Sequence, residues 1–130
     1  MRNIKVAIVK EQATEVVFDT IKDDLNVFYS LIDCDTIDIV TRRIGGKEYD
    51  IICDDEALLR EFPTVTFLSL QGSEMSIYGG IIIAGVHDPE SEDLASLTEE
   101  DCENIRNHIM RVSQTYPLGT VTSLVVYDTM

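Results

Sequence analysis

The run Thr36 to Cys53, TIDIVTRRIGGKEYDIIC, decides how the rest of the chain is read. Ile37, Ile39 and Thr41 alternate with Asp38, Val40 and Arg42 on one side of Gly45-Gly46. Tyr49, Ile51 and Cys53 alternate with Asp50 and Ile52 on the other. Alternation of period two on both arms is the pattern of a half-buried antiparallel ribbon. A Gly-Gly pair accepts positive φ at both central positions of a tight turn. The stretch is therefore expected to be a hairpin around which the other elements are layered.

Outward from the hairpin, Ile4 to Val9 reads as a strand apolar enough to be buried on both faces. Thr14 to Phe18 reads as its antiparallel neighbour. Asp23 or Asp24 is placed to cap a helix whose Leu25, Phe28, Tyr29 and Ile32 follow the spacing of one buried stripe. C-terminal to the hairpin, Glu56 to Phe62 is expected as a short helix stopped by Pro63. Val65 to Leu70 and Ile77 to Val86 are expected strands. Gly79-Gly80 and Gly85 within the latter suggest a bulge or a close approach of another backbone.

Leu97-Thr98-Glu99-Glu100-Asp101-Cys102 is a helix start, with Thr98 as N-cap, Asp101 as the acid of a capping box, and Leu97 and Cys102 at the staple positions. Cys102, Ile105, Ile109 and Val112 are expected to form the inward stripe of that helix. Arg106, His108 and Arg111 fall toward its negative end. Tyr116-Pro117-Leu118-Gly119 breaks the chain before a last strand, Thr120 to Tyr127. The order implies one α+β domain over residues 1–130, with a mainly antiparallel sheet, two main helices and a central Gly-Gly hairpin.

The chain has 130 residues, 24 acidic and 10 basic, and a net charge of −14. That length suffices for a core without staples. The charge argues against direct binding of nucleic-acid phosphates and against docking on an anionic membrane. It permits a plain solubility surface, a binder of basic or DNA-binding proteins, or a mimic of nucleic acid that occupies another protein's DNA site. The start carries no apolar signal segment, and the run Ile81 to Ala84 is too short to span a bilayer. Cys34, Cys53 and Cys102, odd in number and without a CxxC, are expected as free thiols in a reducing, cytoplasmic setting.

Candidate chemistry is sparse. A Cys53–His87 pair with Asp54 or Asp55 is opposed by the carboxylates, which raise a thiol's pKa. Asp88, Glu90, Glu92 and Asp93 lack the glycine turn and terminal Glu of a calcium loop, and the cysteines and histidines lack zinc spacing. Gly79 and Gly80 do not make a nucleotide fingerprint, although a small-ligand groove beside Tyr78 to Gly80 stands as an alternative. No catalytic, cofactor or metal residues are therefore assigned. The surface of interest is the acidic segment from Asp88 to Glu103, where Asp88, Glu90, Glu92, Asp93, Glu99, Glu100 and Glu103 are unaccompanied by Lys or Arg.

The initial strands, the hairpin, Ile77-Tyr78-Gly79 with Ile83-Ala84-Gly85-Val86, and Ser96-Leu97-Thr98-Glu99-Glu100-Asp101 together resemble the domain of unknown function family 3846. That family comprises small proteins of bacteria, phages and mobile elements. The resemblance covers roughly residues 4 to 110, with the strand at 120–128 beyond it. It implies no activity, only an origin in a mobile element or its host. The expected function is that of a non-enzymatic accessory protein binding a protein partner through the acidic face or a sheet edge, with pairing of two copies a further expectation because a β-rich chain has edges to protect.

Overall fold

The computed structural model describes residues 2–59, 63–90 and 93–128. These residues fold as an α+β structure of two sheets and two α-helices. The first sheet is antiparallel throughout and has five strands in the order β2-β1-β7-β4-β3. Its strands are β1 (Asn3–Val9), β2 (Val17–Lys22), β3 (Ile37–Ile44), β4 (Lys47–Asp54) and β7 (Ile81–Gly85). The second has four strands, β6-β5-β9-β8, formed by β5 (Val65–Leu68), β6 (Ile77–Tyr78), β8 (Ile109–Tyr116) and β9 (Gly119–Tyr127). Its β5–β9 pair is parallel and its other pairs are antiparallel.

β7 takes the middle of the first sheet, and every residue of Ile81–Gly85 is buried. Alternate side chains of the sheet feed two cores. Ile4, Val6, Ile8, Ile52, Ile82 and Ala84 pack with Phe28 and Ile32 of α1 (Leu25–Ile32). Ala7, Val9, Tyr49, Ile51, Ile81 and Ile83 pack on the other side with Phe67 and Val126 of the second sheet and with Cys102 and Ile105 of α2 (Glu99–Arg106). The sheet is thus covered on both faces, and a strand covered on both faces must be apolar throughout.

Gly45 and Gly46 lie between β3 and β4 with φ of +58° and +83°. This hairpin stands at the flank of the sheet rather than at its centre, with β3 as an edge strand. An added Cβ on Gly45 would overlap Asn104 Oδ1 of α2, so the turn needs glycine for contact as well as for conformation.

Several expectations are corrected. The run Ile77 to Val86 is two strands in different sheets. Gly79, at φ +81°, turns the chain from one sheet to the other, and its bare Cα faces Ala57 Cβ, 3.0 Å from where a Cβ would sit. The helix after Thr98 ends at Arg106, and Ile109 and Val112 belong to β8. Their spacing fits a helical stripe, but the residues around them alternate by two. Arg111, Ser113 and Thr115 are exposed, while Val112, Gln114 and Tyr116 are half-buried. Pro117-Leu118 is then the two-residue turn of a β8–β9 hairpin, not a loop leaving a helix. The second strand lies at Val17–Lys22 rather than Thr14 to Phe18. On α1, Phe28 and Ile32 are buried but Leu25 is exposed. The segment expected as a helix over Glu56 to Phe62 begins as a single 3₁₀ turn, Ala57–Leu59, and its last three residues lie outside the described ones.

Candidate functional site

The acidic segment starts where β7 ends. A bridge between Gly85 and Ala95 closes the loop that carries Asp88, Glu90 and Asp93. Leu94 then packs into the α1-side core and Leu97 into the opposite one, so the chain wraps around the end of the first sheet before entering α2. Thr98 opens that helix: its Oγ1 accepts from Asp101 N (3.1 Å), and Asp101 Oδ2 accepts from Thr98 N (2.8 Å), both bonds of a capping box. Asp88, Glu90, Asp93, Glu99, Glu100 and Glu103 are all exposed. Glu92 lies outside the described residues.

The fold supplies these carboxylates with cations that the segment itself lacks. Arg2 reaches Asp93 (3.8 Å) and donates to Leu94 O (2.8 Å). Lys5 Nζ lies 2.6 Å from Glu99, and Arg106 lies 3.4 Å from Glu103. The Lys5 bond holds the Glu99 carboxyl below its ordinary pKa and raises that of Lys5 in return. Asp88, Glu90 and Glu100 take part in none of these pairs.

Asp101 is different in kind, since it is buried. Its Oδ1 accepts from Lys47 Nζ (2.6 Å) and from the Tyr49 hydroxyl (3.0 Å), and that hydroxyl in turn accepts from Asn104 Nδ2 (2.9 Å). Asn104 Nδ2 also donates to Ile44 O (2.8 Å). Burial pushes the Asp101 carboxyl up, but the bonds from Lys47, the Thr98 amide and Tyr49 outweigh it and the group titrates below its ordinary value. Burial, aided by the Asp101 charge against a bond from Asn104 that works the other way, pushes the Tyr49 phenol up to about 12. The network ties the hairpin turn to α2, so the acidic helix is anchored rather than loosely attached.

A second polar pair was not legible in the alternation of β4. Asp50 is fully buried, and its Oδ2 accepts from His87 N (2.8 Å) and lies 2.6 Å from His87 Nδ1. Thr41 Oγ1 donates to its Oδ1 (2.8 Å). Asp50 stands opposite Ala84, and the chain leaves β7 after Gly85 so that His87 lies against the Asp50 carboxylate. A carboxylate between the buried Tyr49 and Ile51 could have signalled a specific partner, because a buried charge must be paired.

The cysteine candidate is taken apart by the same register. Cys53 and Asp50 are three residues apart on β4, an odd spacing, so they leave opposite faces of the sheet. His87 goes with Asp50. Cys53 Sγ meets Asp38 O at 3.6 Å, and burial, with Asp38 adding to it, pushes the thiol up to about 11. Cys102 is likewise raised, chiefly by burial. Among the described residues no group of three or more His, Cys, Asp and Glu could hold a metal ion, and no helix is long and apolar enough to cross a membrane.

Beside Tyr78 a cavity of about 190 Å³ is lined by Asp38, Val40, Arg42, Cys53 and Ile77 among others. Gly79 itself offers little to a ligand: its N–H donates to Thr64 O (2.8 Å) and its carbonyl accepts from Thr66 Oγ1 (2.6 Å). A larger cavity, about 370 Å³, opens between the end of α1 and the segment after β4 and is lined by Asp33, Asp35, Asp54 and Glu56.

The molecule is thus an α+β protein whose most distinctive surface is an anchored acidic rim. Within that class its family is defined. The chain belongs to the family described as Domain of unknown function (DUF3846), whose pattern matches residues 4–110. No curated protein and no solved structure matches it.

Proposed function

We propose that the chain is a non-enzymatic accessory protein of a mobile element or its bacterial host, working in the cytoplasm, that binds a partner protein with a basic or DNA-binding surface through the rim formed by Asp88, Glu90, Asp93, Glu99, Glu100 and Glu103. The observation that carries this reading is the exposure of all six carboxylates, with Glu99, Glu100 and Glu103 on a helix anchored by the Thr98–Asp101 capping box and the Lys47–Asp101 bond. A one-sign field on a fixed frame steers an oppositely charged partner and is screened by salt. In a capture experiment from host extract, a specific protein is retained at low salt and released at high salt. The variant Asp88→Asn/Glu90→Gln/Glu100→Gln, which leaves the Arg2–Asp93, Lys5–Glu99 and Arg106–Glu103 pairs intact, retains far less of it. Retention that ignores salt, or equal retention by the variant, refutes the reading.

A small-ligand role for the groove beside Tyr78 is the second reading, favoured by the existence of that groove and by Arg42 at its wall. Its volume of about 190 Å³ falls below the usual range of ligand pockets, roughly 300–1,000 Å³. It suits only a molecule smaller than the usual ligand.

A further inference from the structure

Four strands form the edges of the two sheets: β2 and β3 in the first, β6 and β8 in the second. An open edge presents unpaired backbone N–H and C=O groups, and proteins protect such edges with charge, proline, bulges or shortness. β2 carries Asp19 and Lys22, β3 carries Asp38, Arg42 and Arg43, and β6 has only two residues. β8 has none of these devices in its centre. It is eight residues long with Arg111 as its one charge. From Val112 through Tyr127 the sequence contains no Asp, Glu, Lys or Arg, in a chain that is 26% charged.

The direction of the free groups follows from the ladder. Tyr127 N donates to His108 O, so His108 and Tyr127 are a hydrogen-bonded pair, and even-numbered residues of β8 turn their backbone groups toward β9. Ile109, Arg111, Ser113 and Thr115 turn theirs outward. The side chains of Arg111, Ser113 and Thr115 are exposed. Arg111, Ser113 and Thr115 therefore form a short row of outward-facing amides and carbonyls with small uncharged side chains at its middle.

We infer that β8 pairs antiparallel with β8 of a second copy of this chain, about a two-fold axis at Ser113, joining two four-stranded sheets into one of eight. The second copy is the occupant because the row is self-complementary. With Ser113 opposite its own counterpart, Arg111 meets Thr115, and the two arginines stand four residues apart along the strands, clear of each other. Each copy carries −14, so association needs a seam free of carboxylates, and the β8 edge is the one long edge that offers it. The inference is independent of the acidic-rim reading, and salt separates the two. Screening weakens binding to a basic partner but relieves the repulsion between two acidic copies, so self-association strengthens as salt rises.

The test is the mass of the full chain by sedimentation equilibrium and light scattering over the micromolar range. The expected result is a rise from 14.6 kDa toward twice that value, steeper at higher salt. A monomer mass throughout overturns the inference, and this measurement depends on no variant. Ser113→Lys and Ser113→Glu each set like charges opposite one another across the axis. Each stays monomeric alone, while an equimolar mixture regains the doubled mass. Single variants that associate as the parent does, or a mixture that stays monomeric, overturn the proposed pairing. Substitution at Ser113 removes a hydroxyl contact with Thr122 (2.9 Å) on an exposed face, so circular dichroism is expected to match the parent.

Discussion

Alanine at Gly45 and at Gly46 separates conformational strain from contact within one turn. Both glycines have positive φ, and an L-residue held there costs about 1–2 kcal/mol. At Gly46 nothing lies within 4 Å of the added Cβ, so strain is the whole effect. At Gly45 the Cβ overlaps Asn104 Oδ1 and comes within 2.7 Å of His108 Cε1. The Asn104 amide must swing away, which loosens its bonds to Ile44 O and to the Tyr49 hydroxyl. At about 1 kcal/mol for each such bond, Gly45→Ala costs about 3–4 kcal/mol, roughly 2 more than Gly46→Ala. For a chain of this size that difference is a gap of about 6–8 °C in Tm. Urea and thermal unfolding followed by circular dichroism measure it. The decisive arm repeats both substitutions in an Asn104→Ala background, where the obstructing oxygen is gone. There the excess cost of Gly45→Ala falls to about 1 kcal/mol or less, as expected for residues in contact. Equal costs for the two glycines, or an excess that persists without Asn104, would refute the account of how the turn meets α2.

Two further outcomes follow from the same architecture. The Tyr49 phenol is raised from 10.0 to about 12 in the folded chain, so the folded state holds that proton more tightly than the unfolded one and stability falls as pH rises from about 10 toward 12; Tyr49→Phe flattens this loss in unfolding experiments across that window, and an unchanged slope counts against the buried hydroxyl. A chain ending after Met110 loses β9 and nearly all of β8, and with them the buried Val125, Val126 and Asp128, so β5 and β6 are left as a two-stranded remnant; it is expected to unfold without the parent's cooperative transition, and a matching midpoint would show the second sheet to be dispensable.

Local signals were the legible ones. The capping box at Thr98 and Asp101, the buried run Ile81 to Ala84 and the antiparallel entry pair each rest on neighbours in sequence, and each stands in the structure. What was not legible depends on distant partners. Nothing within Ile77 to Val86 says that its halves serve different sheets; the reason is Ala57 and Thr64, which receive Gly79 from another part of the chain. The spacing of Ile109 and Val112 suits a helical stripe, while the residues around them alternate by two. Pairing with β9 across the turn at Pro117 decides between them. Asp50 looked like the solvent face of a ribbon because its partner, His87, lies 37 residues away.

The acidic segment teaches the same lesson about charge. Its sequence contains no cation, yet Arg2 just before the first strand, Lys5 within it and Lys47 of the fourth are folded against it. Part of the one-sign field expected from sequence is therefore spent inside the molecule, and salt acts on the chain in three places at once. It screens the exposed Arg2–Asp93 and Lys5–Glu99 pairs, whose contribution to stability is small because both are open to solvent. It weakens attraction of a basic partner to Asp88, Glu90 and Glu100. It also lessens repulsion between two copies meeting at β8. The Lys47–Asp101 bond resists screening better, because Asp101 is buried and its carboxylate accepts two further hydrogen bonds, from Tyr49 and the Thr98 amide. A protein whose unfolding midpoint barely moves with salt while partner binding falls and self-association rises is the combination this arrangement requires. If the unfolding midpoint fell together with partner binding, loss of the folded rim, not screening of its charges, would explain the release.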